Sequence, residues 1–455
     1  MSTSFPFTTL EEFLFWEDRP AYPWSCFARF RFDGQLDRGA FETAVGRVLQ
    51  RHPLLRAKAR MRGRNHVDWV VQDDPQPVLQ WETGPVGGPF LPATHLDLLH
   101  EIGIRFRIVT GGSKCDLVVQ WHHACCDGAG ILAFVDELLI AYALAIGTTS
   151  KELQLRPMDP AKLHRRGRFG LTAGKFVRML PKQAVGLLGV RQFVMRSPVP
   201  IVPHEPCHTA GPPAGYPAVL TRFLSTTQTA ALRKTATQLG VRLNDLMATQ
   251  LFLSLDEWRF RHGVGDNGWL RMMVPINLRT ASDRRLSAAC LASSIFLDRR
   301  HQDCEKPEAL LRSIHDEMSL ILSHQLGLTF VFSSWLLNLI PGGLKRRTRA
   351  PQCSMSCIFT NLGKIFAHSP LPRQTGRLIA GNVTLESIDA VAPNRPYTCV
   401  SFAASIYANR LAVTLHYDPR PLTDMQAGEL LDAFIERLGS PQAKDADRFL
   451  TDRRL

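Results

Sequence analysis

Alternation of apolar and polar side chains predicts the first strand close to the N-terminus. Residues 27–32 read FARFRF, and this two-residue period ends at the turn dipeptide Asp33-Gly34. From Leu36-Asp37 onward the period becomes that of a helix with one apolar face. We expect this helix to end near His52-Pro53, because proline cannot continue a helical hydrogen-bond ladder.

The same two periods recur through the rest of the chain, with strands and helices interspersed. Further strands are predicted at residues 67–71, 106–109, 116–121, 218–224, 271–274, 292–297, 356–360, 400–407 and 411–416. Helices are predicted at residues 131–142, 227–239, 241–255 and 423–438. This mixture predicts an α/β (α+β) fold.

Length and proline content predict how the chain divides. At about 150 residues per domain, 455 residues correspond to two or three domains. Residues 151–215 are rich in proline and resemble a linker, although the apolar and basic run 176–194 is typical of one or two amphipathic helices. We place the boundary within 198–217, which predicts domains 1–197 and 198–455.

Positive charge is concentrated in that same linker-like segment. The chain has a net charge of +13, and Lys151 to Arg196 contains eleven Lys and Arg residues against Glu152 and Asp159. This segment is either a solvated face or a surface for an anionic partner, such as a phosphate-bearing cofactor, an acidic carrier protein or a membrane. Nucleic acid is disfavoured, because no ladder of base-stacking aromatic residues accompanies the charge.

The cysteines and the N-terminal residues bear on the cellular compartment. The ten cysteines lack zinc-ribbon spacing, and residues 1–6 lack the charged and apolar regions of a secretory signal. We therefore expect reduced thiols in a cytosolic protein, with disulfides as the alternative. The 45% hydrophobic and 21% charged fractions are those of a soluble globular protein.

One uncharged stretch is a candidate for membrane contact. Residues 326–344 carry no charge and precede Lys345-Arg346-Arg347, but they include Asn338, Pro341, Gly342 and Gly343. The helical part is shorter than the roughly 20 residues that a bilayer needs. A buried core helix, or a helix at an apolar tunnel or membrane interface, is favoured over a transmembrane span.

The strongest chemical motif is the segment His122-His123-Ala124-Cys125-Cys126-Asp127-Gly128, between the predicted strand 116–121 and the helix that follows. A histidine suits proton transfer because its ordinary pKa, about 6.5, is near neutrality. Asp127 could orient the imidazole or instead hold the loop by pairing with a basic residue. Gly128 would allow backbone dihedrals that a Cβ obstructs.

The residues of this segment leave several interpretations open. Taken alone, two histidines are most often core residues that hydrogen bond to the backbone. A metal site and a Cys–His nucleophile at Cys125 or Cys126 are the alternatives, but no second ligand cluster or orienting partner is evident. The sequence also lacks a P-loop, a G-x-S-x-G nucleophile elbow and an H-E-x-x-H motif.

A resemblance to a known superfamily changes this balance. The segment 122–128 resembles the HHxxxDG signature shared by chloramphenicol acetyltransferase, peptide-synthetase condensation domains, BAHD acyltransferases and wax ester synthases. Four further matches lie in the expected order: RHPLLR at 51–56, ND at 244–245, VPINLR at 274–279 and TNLG at 360–363. Together they cover roughly residues 8–440 and are most similar to the wax ester synthase and alcohol acetyltransferase branches. The DFGWG motif of the BAHD branch is absent.

The resemblance implies two chloramphenicol-acetyltransferase-like domains with an active-site tunnel between them. The second histidine, His123, would be the general base, and His122 would support the loop. Asp127 would be structural and pair with an arginine, for which Arg279 is our candidate. Asn361 is expected near the tunnel in the C-terminal half.

We therefore expect a stand-alone, monomeric acyltransferase that moves an acyl group from a CoA or phosphopantetheine thioester to a hydroxyl or amine. The acceptor is a small molecule or a lipid. No bound cofactor, metal or nucleic acid is expected. An acyl carrier protein and a membrane surface are further candidate partners, and the protein is expected in the cytoplasm, with membrane association as a variant of that expectation. The alternatives are a catalytically silent condensation-like module that binds a carrier protein or other partner, and a zinc enzyme.

Overall fold

The computed structural model describes residues 3–148, 153–265 and 267–439. Its strands are β1 Ser4–Pro6, β2 Ser25–Asp33, β3 Ala57–Arg62, β4 His66–Val71, β5 Val78–Thr83, β6 Ile104–Gly111, β7 Lys114–His122, β8 Ala218–Phe223, β9 Leu270–Asn277, β10 Ala292–Arg299, β11 Cys357–Lys364, β12 Arg373–Gln374, β13 Arg377–Ala380, β14 Val383–Val391, β15 Val400–Tyr407 and β16 Arg410–Tyr417.

Helices occupy most of the connections between these strands. The α-helices are α1 Thr9–Glu17, α2 Arg38–Leu49, α3 Gly128–Ala145, α4 Ala173–Met195, α5 Thr226–Gln238, α6 Leu243–Arg261, α7 His301–Cys304, α8 Pro307–Ser323, α9 Gly327–Leu339, α10 Gly343–Thr348 and α11 Asp424–Gly439. Two 3₁₀ helices span Pro160–Arg168 and Ala281–Asp283.

The strands form three sheets. A seven-stranded sheet has the order β12-β13-β14-β2-β7-β6-β5, and a six-stranded sheet has the order β10-β9-β11-β15-β16-β8. The third sheet, β1-β4-β3, has three strands. Parallel and antiparallel pairs both occur, for example β5 with β6 and β2 with β7. The predicted α/β (α+β) class is therefore confirmed.

The seven-stranded sheet contains strands from both ends of the chain. β14 pairs antiparallel with β2, and in this register Val391 lies opposite Phe27. β12 and β13 extend the same edge. The division into sheets therefore does not coincide with a cut between residues 197 and 198, and the predicted domain boundary stays a prediction.

Each large sheet has its own layer of helices. In the first core, α2 and α3 pack together, and Phe41 and Phe134 are fully buried. In the second core, α6 packs against α8 and α11, with Phe252 and Phe434 fully buried. The two apolar layers explain why the helical periods predicted for α2, α3, α6 and α11 were correct, since one face of each of these helices covers a sheet.

The RHPLLR segment is held to α3 by one buried carboxylate. Glu137 on α3 accepts hydrogen bonds from Arg51 (Nε–Oε2, 2.9 Å) and Arg156 (Nε–Oε1, 2.6 Å). His52 Nδ1 accepts a hydrogen bond from the backbone N–H of Ala288 at 2.9 Å. Burial opposes ionisation of Glu137, but its histidine and arginine partners lower its pKa to about 2. This network ties the end of α2 to α3 and to the loop before β10.

The linker-like segment is largely structured. It contains the 3₁₀ helix 160–168 and the 23-residue α4, which includes Pro181. Part of its charge is internal, because Arg166 is buried and its Nη2 lies 2.6 Å from Glu11 Oε2. The basic segment is thus not wholly a solvated face. Lys151 and Glu152 lie outside the described residues.

Among the described residues, one single helix is long and apolar enough to cross a membrane, and it is α3. It is mostly buried, as a core helix would be. The uncharged stretch 326–344 forms the 13-residue α9 and the start of α10, and α9 meets α8 at a bend of 64°. The two helices of this bent pair pass the same test of length and composition only when taken together.

Candidate active site

The histidine motif connects a central strand to a buried helix. β7 ends at His122, α3 begins at Gly128, and Asp127 is the N-cap residue of α3. β7 is bordered by β2 and β6, so the start of the loop is fixed on both sides by strand pairing. The predicted strand-to-helix position of the motif is confirmed, and such a position presents a side chain rigidly.

Asp127 joins the loop to the second sheet. Its Oδ1 accepts the backbone N–H of Gly130 at 2.8 Å, as an N-cap residue does. Its Oδ2 accepts the N–H of Leu291 at 2.8 Å and Arg279 Nη1 at 2.6 Å. Burial opposes the charge on Asp127, but Arg279 and these N–H groups outweigh burial and lower the pKa. The carboxylate is therefore ionised, and it holds the loop by the ion pair that the sequence suggested.

His122 is a supporting residue with both ring nitrogens facing protein atoms. Its Nδ1 accepts the backbone N–H of Ala124 at 3.1 Å, and its Nε2 lies 3.6 Å from Asp18 Oδ1. Asp18 also accepts the backbone N–H of Trp24 at 2.7 Å and lies 2.6 Å from His95 Nε2. Burial opposes ionisation of Asp18, but His122 and His95 lower its pKa. His122 thus has no nitrogen free for a substrate.

His123 is the histidine that faces open space. Its backbone N–H donates to Trp24 O at 2.9 Å, and its ring meets the Trp24 indole edge-on at 5.6 Å between centroids. Its Nδ1 lies 3.7 Å from Cys290 Sγ. Burial lowers the pKa of the imidazole, and this outweighs the opposing effects of Asp127 and of its own backbone carbonyl. A neutral imidazole at neutral pH is the form that accepts a proton.

A cavity of about 990 Å³ opens in front of His123, between the two large sheets. α3 contributes Leu132 and Ile140, and β9 and β11 contribute Asn277 and Thr360 on the other side. Most of the lining is apolar. The polar lining residues include Asp136, Gln154, Lys364, His368 and Ser369. The volume lies in the range of small-molecule and cofactor sites.

Arg279 and Asn361 both line this cavity. Arg279 does so while paired with Asp127, and it also donates to Ala289 O at 2.8 Å. Asn361 Oδ1 accepts the backbone N–H of Gly363 at 2.9 Å, which shapes the TNLG turn. The structure thus brings all the predicted site residues to one place, and their roles in a reaction stay predictions.

Glycine at position 128 is explained by the limited space around it and not by its backbone dihedral angles. The expectation that it needs a conformation closed to other residues is wrong, because it does not adopt a positive φ. A Cβ at this position would instead lie 2.7 Å from Leu362 Cδ2 on β11. A larger residue here would require the Leu362 side chain to move away from the first turn of α3.

The two alternative chemistries of the motif find little support in this geometry. Cys125 and Cys126 are fully buried and do not line the cavity. Burial raises the pKa of both thiols well above the ordinary value, so the nucleophilic thiolate is disfavoured. Within residues 3–148, 153–265 and 267–439, no group of three or more His, Cys, Asp or Glu side chains could hold a metal ion.

Comparison with known proteins finds matches among solved structures. No protein-family model and no curated protein sequence matches the chain. The first condensation domain of the CDA synthetase superposes with a TM-score of 0.70 at 15% identity, over 96% of each chain. The chain has the condensation-domain fold.

Two further solved structures share this fold. The condensation domain of the Monacolin K polyketide synthase gives a TM-score of 0.66 at 14% identity, over 96% of this chain and 97% of that one. Trichothecene 15-O-acetyltransferase from Fusarium sporotrichioides gives 0.66 at 11% identity, over 96% and 95%. The condensation-domain fold therefore occurs here in a single chain of similar length, and it matches the predicted pair of chloramphenicol-acetyltransferase-like lobes.

Several residues that shape the site escaped the sequence analysis. Asp18 ends α1 about a hundred residues before the motif, and Cys290 and the Leu291 N–H come from the segment before β10. Trp24 lies just before β2, next to the cavity. No local pattern marks these residues, because their roles arise from contacts between distant segments.

Proposed function

We propose that this protein is an acyltransferase in which His123 acts as the general base. The observation that carries the proposal is the position of His123, a neutral imidazole that faces a large cavity while Asp127, Arg279 and His122 hold its loop. The condensation-domain fold supports the same reaction class, since related structures include an acetyltransferase.

The proposed donor is a thioester of CoA or of a phosphopantetheine arm. One structural relative, the starter condensation domain of rhizomide synthetase, was solved in complex with C8-CoA and Leu-SNAC. A largely apolar cavity of about 990 Å³ is suited to an acyl chain, while polar lining residues such as Asn277, Thr360 and Asn361 suit a hydroxyl or amine acceptor. The donor is a substrate and no resident cofactor is needed.

In the proposed reaction, His123 carries the proton from the acceptor to the leaving group. His123 takes the proton of the acceptor hydroxyl or amine as its oxygen or nitrogen attacks the thioester carbonyl carbon. The tetrahedral adduct then collapses, the carbon–sulfur bond breaks, and the departing sulfur receives the proton from the imidazolium. An ester or amide and a free thiol are formed, and His123 returns to its neutral form.

Turnover of acyl-CoA thioesters of different chain lengths against a mixed panel of alcohols and amines tests the proposal, with free thiol release as the readout. We expect His123→Gln to lower kcat about a hundredfold to ten-thousandfold, the range of general-base catalysis. The matched control is His100→Gln, which changes an exposed histidine that does not line the cavity. Equal activity of wild type and His123→Gln would exclude the proposed base. Retained binding of a carrier protein without any turnover would instead favour the silent module.

A further inference from the structure

Two helices in contact, together with the residue that follows the second one, carry half of the large exposed apolar side chains of the described residues. α4 exposes Val177, Leu187, Leu188, Val194 and Met195, each between 58% and 74% of its full area. The last four recur at helical spacing and therefore fall on one side of α4. A soluble protein rarely leaves such a stripe facing water without a partner.

The second helix, α9, is exposed at its C-terminal end. Trp335, Leu336 and Leu339, together with Ile340 just after the helix, are between 51% and 62% exposed. We call the exposed side chains of α4 and of residues 335–340 the α4–α9 face. A tryptophan among aliphatic residues is typical of the boundary between water and lipid.

The two helices are packed on each other. A Cβ on Gly186 would lie 2.5 Å from Thr329 Oγ1, so α4 approaches the first turn of α9 closely at this glycine. The Thr329 hydroxyl donates to Gln183 Oε1 at 2.9 Å. At its other side, Gly327 of α9 packs against Ile276, which lines the cavity. One helix layer therefore separates the α4–α9 face from the candidate active site.

The segments that form this face carry charge of one sign. Neither α4 nor residues 327–348 contain an acidic residue. Arg178, Lys182 and Arg191 of α4 are exposed, as are Lys345 and Arg346 of α10. Exposed apolar side chains flanked by cations complement a bilayer that contains anionic lipids, whose headgroups attract lysine and arginine.

We propose that the α4–α9 face docks this protein onto the surface of an anionic lipid bilayer, with the apolar side chains inserted among the headgroups. The contact is peripheral, because α4 lies along the protein surface and α9 has only 13 residues. The proposal does not rest on acyl transfer, so the two can fail separately. A lipid-like acceptor would reside in the same bilayer.

Co-sedimentation with vesicles tests the proposal on the full chain. We expect the protein to pellet with vesicles of phosphatidylcholine containing one-third phosphatidylglycerol, and more weakly with phosphatidylcholine alone. Added salt should reduce the first interaction more than the second. A wild-type protein that stays in the supernatant with both kinds of vesicle overturns the proposal.

Paired substitutions locate the contact. Leu187→Glu with Leu188→Glu should lower the partition coefficient at least roughly tenfold, and Leu336→Glu with Leu339→Glu should act in the same direction. Met425→Glu is the matched control, because Met425 is 72% exposed but lies on α11. Arg191→Gln, at the exposed cation that shares the side of α4 with these apolar residues, should weaken binding to the anionic vesicles several-fold and leave binding to the neutral ones unchanged.

Two further measurements distinguish loss of the lipid contact from unfolding and from self-association. Thermal unfolding should be the same for the variants and the wild type, since every changed side chain is exposed. Sedimentation without lipid distinguishes a second copy of the chain as the occupant. A dimer that Leu187→Glu with Leu188→Glu converts to a monomer, without vesicle binding by the wild type, would assign the face to that copy and overturn the proposal. Equal loss of binding with Met425→Glu would also overturn it.

Discussion

Arg279 Nη1 and Asp127 Oδ2 lie 2.6 Å apart, and this ion pair links the segment just after β9 to the loop that carries His123. Asp127 is almost completely buried, whereas the Arg279 side chain is about one-fifth exposed. The position of His123 relative to the second half of the cavity therefore depends on a contact between residues 152 positions apart.

Removing the arginine leaves a buried carboxylate without its charged partner. We expect Arg279→Gln to lower the free energy of unfolding by about 3 kcal/mol, since breaking a buried ion pair exposes the full cost of burying the remaining charge. Urea denaturation measures this difference. Adding Asp127→Asn to the variant should recover part of the loss, because both charges are then gone. Arg284→Gln, at an exposed arginine nearby, is the control and should change little.

The lowered pKa of His123 sets the pH dependence of the proposed reaction. The base form persists to lower pH than for an ordinary histidine, because burial disfavours the imidazolium. A profile of kcat/KM against pH should therefore stay flat near neutrality and fall only below about pH 6.5. A decline with a midpoint above this value would contradict both the burial effect and the assignment of His123 as the base.

Thiol reactivity should separate Cys207 from the cysteines of the motif. Cys207 is partly exposed, and hydrogen bonding to Thr209 lowers its pKa, whereas burial raises that of Cys125, Cys126 and Cys290. We expect iodoacetamide to label Cys207 first, as peptide mass mapping would detect. Cys207→Ser should remove this fast phase without loss of turnover. Preferential labelling of Cys125 or Cys126 would instead support the alternative in which one of them is a nucleophile.

A buried histidine should make the fold sensitive to mild acid. Burial lowers the pKa of His416 to about 4, and its Nδ1–H donates to Ala392 O at 2.7 Å. Between this value and an unfolded value of about 6.5, the unfolded chain binds a proton that the folded protein does not. Stability is therefore retained above about pH 6.5 and falls as the pH decreases towards 4, by about 3 kcal/mol in total.

The comparison with His416→Asn isolates this effect, since asparagine can keep the donor to Ala392. Urea unfolding of both proteins at about pH 7 and about pH 4.5 measures how much the free energy of unfolding falls between these pH values, where most of the decrease lies. The variant should lose less stability than the wild type between the two pH values. Equal losses would show that other groups cause the acid sensitivity.

The sequence supported the fold class and the central loop for clear physical reasons. Strands and helices with one buried face leave a period in the sequence, as for 27–32 and 423–438, and the structure has elements at both. The Asp127–Arg279 pair was suggested by a resemblance, and the structure contains it. The short strand β3 and the amphipathic α8 were missed, although both form in the structure.

Other features depend on contacts that no local pattern encodes. The pairing of β14 with β2 joins residues about 360 positions apart. Strands from both sides of the proline-rich linker therefore share one sheet, which the linker alone did not indicate. Asp18 and Cys290 reach the histidine loop only through the folded chain. Gly128 was assigned to the right place for the wrong reason, because the crowding side chain, Leu362, comes from the other sheet.

The place of β14 in the seven-stranded sheet has a consequence for synthesis on the ribosome. β2 emerges well before one of its two neighbours, β14, which follows about 350 to 360 positions later in the chain and ends at Val391. During that interval β2 presents an open edge with a row of unpaired backbone groups. The nascent segment that contains β2 therefore needs protection from other chains until β14 arrives, and the seven-stranded sheet is completed only after Val391 has been made.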